Sequence, residues 1–129
     1  MVYDNPITKN AGLDINEEPI KEHNYIITVD VARGLGNDYS AFVVVDITEF
    51  PHRIVAKYRD NQIKPMLFPN VIWEVAKNYN NAFILCEVND IGDQVASILH
   101  YDLEYENLLM ASMRAVSYTH LTLPTTPYV

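Results

Sequence analysis

One cysteine among 129 residues, Cys86, cannot form an internal disulfide and fits a reducing compartment. With no CxxC and no His/Cys pair at ligand spacing, the sequence offers no zinc site. Long apolar runs are missing. The longest, such as residues 41–45, are strand-length, so no membrane-spanning helix is expected. The amino terminus lacks the basic-then-apolar form of a secretory signal. Basic residues are scarce: nine Lys and Arg stand against seventeen Asp and Glu, a net charge of −8. Taken alone, that balance speaks against a nucleic-acid surface, which needs clustered cations. It leaves room for an enzyme that meets phosphates through bound divalent metal, because a metal inverts the local field.

What is present reads as one globular domain, with 49% hydrophobic and 20% charged residues. Residues 25–47, YIITVDVARGLGNDYSAFVVVDI, hold two strand patterns joined by a turn in which Gly34 and Gly36 can take positive φ. A connection this short implies an antiparallel hairpin. RIVAKYR, residues 53–59, alternates like a third strand nearer the sheet edge. Pro65 and Pro69 stand where a first helical turn tolerates them. Ile72, Val75, Ala76 and Tyr79 then mark one helix face, ended by Asn80 and Asn81. Residues 82–88 form a short apolar run suited to a buried strand parallel to the first, across the helical crossover. Asn89 and Asp90 can cap a second helix with apolar positions Ile91, Val95, Ile98 and Leu99, and residues 108–110 begin another strand. The order β-β-β-α-β-α-β is an α/β plan with a mixed sheet, the plan of a ribonuclease H-like domain.

Residues 1–24 show no sustained period and are expected to be an arm or linker; residues 25–115 carry the domain. The tail follows neither pattern. VSYTHLTLPT, residues 116–125, reads codon by codon as a translated transposase mosaic end and sequencing primer. Residues 116–129 are therefore expected to be non-native, with the native sequence broken off near Ala115.

Asp30 and Glu87 are acids set inside apolar strand patterns, where a charge is costly unless paired or bound to metal. If their strands are parallel neighbours, both carboxylates emerge at one end of the sheet and can share a hard cation such as Mg²⁺. A third carboxylate would complete a two-metal site for phosphodiester hydrolysis. Asp38, ending the glycine turn, is an auxiliary candidate. The plainer reading makes Asp30 a turn cap and Glu87 a partner for Arg33 or Lys57. Asp46 and Asp93 read as surface or cap acids, Cys86 as a small buried hydrophobe, and Trp73 with the tyrosines as core. Lys57, Arg59 and Lys64 read as either a basic rim or a solvated strand edge. Gly92 permits either a phosphate contact or close helix–sheet packing. His23, His52 and His100 show no ligand spacing.

The runs YIITVDVARGLGNDYSAFVVVDIT, VIWEVAKNYNNAFILCEVNDIGDQVA and YDLEYENLLM resemble the nuclease domain of the large terminase subunit of myovirus-type tailed phages. The resemblance covers roughly residues 20–114. It implies a ribonuclease H-like fold and cutting of concatemeric double-stranded phage DNA during packaging in the cytoplasm of the infected host. It also implies Mg²⁺ or Mn²⁺ held by three acids, with Asp30 and Glu87 as two of them and Asp38 close by. The family's third acid would lie well downstream, beyond the point where the adapter-like tail replaces the native sequence, which implies a truncated nuclease that is poorly active or inactive. No Walker A motif is present; the family's ATPase motor would precede residues 1–24, and the portal and small terminase subunit would be partners. Two rivals remain: an actin-like nucleotide-binding module, which would need a second glycine-rich loop, and a non-catalytic assembly module whose acids only make salt bridges.

Overall fold

A computed structural model describes residues 8–10, 12–30, 40–64, 66–87 and 95–111, with the backbone alone at 8–10, 87, 110 and 111. The glycine turn with Asp38, residues 88–94 with Gly92 and Asp93, and the tail 116–129 lie outside the described residues.

The described chain builds one mixed sheet of seven strands. In chain order these are β1 (Thr8–Asn10), β2 (Leu13–Ile15), β3 (Tyr25–Asp30), β4 (Ser40–Asp46), β5 (Arg53–Asp60), β6 (Phe83–Glu87) and β7 (Leu108–Ala111). Across the sheet they run β1-β2-β5-β4-β3-β6-β7. The hairpin β3–β4 and the pair β4–β5 are antiparallel, whereas β3–β6 and β6–β7 are parallel. The parallel step requires a crossover, supplied by helix α1 (Phe68–Asn78).

One sheet face carries the core. Along β3, Tyr25, Ile27 and Val29 are buried, while Ile26 and Thr28 on the opposite face are half-buried and Asp30 is exposed. β6 repeats the pattern with Ile84 and Cys86 buried, Leu85 half-buried and Phe83 exposed. The core face is covered by α1, whose stripe of Phe68, Ile72, Val75 and Ala76 is fixed by helical periodicity. Pro69 sits in the first turn, where the missing N–H would have no helical partner anyway. Asn80 and Asn81 stop the helix in left-handed conformations, at φ 57° and 56°, which asparagine tolerates better than most residues. Phe68 closes an aromatic cluster with Phe42 and Tyr58, ring centroids 6.2 and 5.9 Å away. A second helical segment, residues 95–97, runs into a π-helical turn, Ile98–Asp102, that buries Val95 and Leu99. No helix among the described residues is long and apolar enough to cross a membrane.

Within the segment expected to be an arm or linker, residues 8–10 and 13–15 are strands. β1 and β2 form a hairpin, and β2 pairs antiparallel with β5. β5 is therefore flanked on both sides rather than lying at the sheet edge. Strands of three residues are too short to display a period, so the pattern had nothing to register. Residues 16–24 are tied down as well. The Tyr79 hydroxyl donates to the Glu17 carbonyl at 2.8 Å, and the Asn80 amide donates to the carbonyls of Ile20 and His23 at 2.8 and 3.0 Å.

Gly12 makes the β1–β2 turn possible. Its φ is +92°, and a Cβ there would stand 2.8 Å from the carbonyl oxygen of Arg59. Gly12→Ala should cost roughly 1–3 kcal/mol, through backbone strain and that close approach. Urea unfolding should show a lowered midpoint; a midpoint within error of wild type would mean the hairpin is not held as described.

Candidate metal centre

Asp30 and Glu87 end the two parallel strands at the middle of the fold. The ladder between β3 and β6 pairs Thr28 with Leu85 and Val29 with Cys86. One further residue along each strand brings position 30 level with position 87. Adjacent strands lie about 4.8 Å apart, so the two backbones come close enough for their acids to share one cation. Alternation also puts both positions on the same face. Asp30 follows Ile26 and Thr28 on the side away from α1, and position 87 follows Phe83 and Leu85 there. The expected geometry of parallel neighbours with a common end and face is thus present in the backbone.

A comparison with Asp46, the strand-end acid of β4, separates two uses of such a residue. Asp46 is only 3% exposed, and its carboxylate is fully engaged. The His23 ring nitrogen Nδ1 donates to Oδ2 at 2.7 Å, and the Thr48 backbone N–H donates to Oδ1 at 3.0 Å. Arg53 approaches to 3.7 Å while gripping Glu17 through two hydrogen bonds of 2.8 and 2.7 Å. Burial alone would raise the Asp46 pKa, but the hydrogen bonds from Thr48 and His23 outweigh it and hold the carboxyl below its ordinary range. The expectation of a surface acid is corrected here; the capping part of that reading holds, since Asp46 bonds the N–H two residues on. Asp30, by contrast, is exposed, and no hydrogen bond or ion pair among the described residues engages its carboxylate.

Two carboxylates are the donor type a hard divalent cation prefers, its remaining positions being taken by water and phosphate oxygen. Among the described residues, no group of three His, Cys, Asp or Glu could hold a metal. Asp38 lies outside them. Cys86 neighbours Glu87 in sequence but belongs to the core face. Burial pushes its thiol up to about 12, which removes it as a nucleophile near neutral pH. His52 stacks edge-on against the exposed Phe50, and His100 against Tyr101. The His23–Asp46 pair is the feature that sequence reasoning missed. The aspartate two residues before Thr48 was the available signal for the turn, but nothing local pointed to a histidine 23 residues earlier.

Residues 27–126 match the family model described as Terminase RNaseH-like domain. The fold is similar to that of the large terminase nuclease from thermophilic phage G20c, with a TM-score of 0.70 and 21% identity, over 87% of this chain and 56% of that one. The G20c nuclease has also been solved with bound magnesium, zinc and cobalt. The large terminase nuclease domain of Thermus phage P74-26 is similar too, with a TM-score of 0.66 and 23% identity, over 87% of this chain and 54% of that one. This chain therefore spans little more than half the length of the solved nucleases it resembles.

Proposed function

The chain belongs to the terminase RNase H-like domain family, and on that footing we propose that it carries half of a divalent-metal site for cutting double-stranded DNA. The parent enzyme would be the large terminase subunit, cleaving concatemeric viral DNA as it is packaged in the host cytoplasm with the portal and small subunit. One observation carries this reading: Asp30 and position 87 share a level and a face at the ends of adjacent parallel strands.

Asp30 and Glu87 would hold Mg²⁺ or Mn²⁺, with Asp38 as an auxiliary acid. The chemistry such an ion would supply there is Lewis-acid polarisation of a phosphate and a more acidic water. The protein's own contribution is positional. β3 and β6 are fixed by their buried faces, so positions 30 and 87 at their ends would be held at a constant spacing. The exposed Asp30 carboxylate, lacking a described partner, favours this reading over an assembly module held by salt bridges. Because the chain spans little more than half of the similar nucleases, cutting is proposed for the whole parent, and metal binding is the property tested on this chain.

Isothermal titration with Mn²⁺ should show binding that Asp30→Asn or Glu87→Gln weakens at least tenfold, since each variant removes an anionic oxygen ligand. Binding that neither substitution alters would sink the proposal.

A further inference from the structure

The outer sheet face also carries the cations that an acid-rich chain would need to approach DNA. The cross-strand ladder places Asp30 opposite Ala41 and Ala41 opposite Arg59. One step along, Thr28 faces Val43 and Val43 faces Lys57. Arg59 thus shares a level with Asp30 two strands away, roughly 10 Å across the sheet. Lys57 lies two residues along the same strand from Arg59, about 7 Å. Both cations are exposed. Among the described residues, the positions between them and Asp30 on this face are Ala41, Val43 and Thr28, half-buried and uncharged. Asp14 stands opposite Lys57 in the ladder with β2 and tempers that charge.

We infer that Arg59, assisted by Lys57, holds phosphates flanking the one to be cut, so that the DNA backbone runs over the outer face of β3, β4 and β5. This rests on the metal-site reading above, because it takes Asp30 to mark the scissile position. Arginine suits the role through its forked donors, and phosphate contacts supply register on the duplex rather than sequence choice.

Fluorescence anisotropy of a labelled duplex, titrated over a range of salt concentrations, tests the inference. For Arg59→Gln combined with Lys57→Gln, the slope of log affinity against log salt should become shallower by about 0.9 for each lost contact. Arg59→Lys, which keeps the charge, should stay close to wild type. Lys77→Gln removes a cation that lies on α1 over Trp73, and should leave the slope unchanged. A wild-type slope in the double variant, an equal loss in Lys77→Gln, or no salt-dependent binding by the wild type would each overturn the inference. Mn²⁺ titration of the double variant separates the two readings: retained metal affinity with an unchanged slope defeats the DNA path alone.

Discussion

Phe68→Ala should destabilise the domain by about 3–5 kcal/mol, the cost of deleting a fully buried aromatic ring and leaving its cavity. In a domain of this size that corresponds to a fall in melting temperature of roughly 10–20 °C. Phe68 opens α1 and packs against Phe42 and Tyr58, themselves stacked with centroids 5.1 Å apart. Such ring pairs add about 0.5–1.5 kcal/mol beyond the area they bury. Phe68→Leu retains most of the volume and should cost less than half as much. Calorimetric melting of both variants measures this directly. A loss under about 1 kcal/mol for the alanine variant would mean that the first turn of α1 is not seated on β4 and β5. The effect reaches the candidate site because α1 is the crossover that delivers β6 to β3.

Asp46→Ala should come next, at about 2–3 kcal/mol. Removing one member of a buried charged network is strongly destabilising, but His23 and Arg53 are 25% and 35% exposed and recover some hydration, so the low end applies. The Thr48 N–H also loses its acceptor. The pH dependence follows from the lowered Asp46 pKa. A carboxyl whose pKa is lower folded than unfolded contributes its full stabilisation above the unfolded value, about 3.9, and loses it as pH falls through the folded value. The stability gap between wild type and Asp46→Asn should therefore persist down to about pH 4 and close below it. A gap that had already closed above about pH 5 would contradict the lowered value.

Much of the domain is legible in the chain because strand and helix periods are written in residues that pack. Tyr25, Ile27 and Val29 alternate in the sequence and in the core, and the helix read from Ile72, Val75 and Ala76 is α1. β6 and β7 were legible as apolar runs bounded by polar residues. Two classes of feature were not. β1 and β2 owe their conformation to pairing with β5, a tertiary cause without a local signature. The His23–Asp46–Arg53–Glu17 network joins residues separated by up to 36 positions, and only the folded sheet brings them together at the ends of β4 and β5. The candidate site falls between these classes. Asp30 and Glu87 stood out as acids in apolar strands, yet their common face depended on β3 and β6 being neighbours, which the order of elements implied and the ladder supplies.

That ladder also acts as a check on the site. A side chain changes face with every residue along a strand, so sliding β6 by one position against β3 would turn Ile84 and Cys86, now fully buried, toward water. The same slide would carry position 87 to the side opposite Asp30. The apolar row therefore proofreads the acidic one: no one-residue slip keeps the core dry while moving the two acids to opposite faces. Register fidelity at the candidate metal centre is enforced from the far side of the sheet, by residues that never meet a metal or a phosphate.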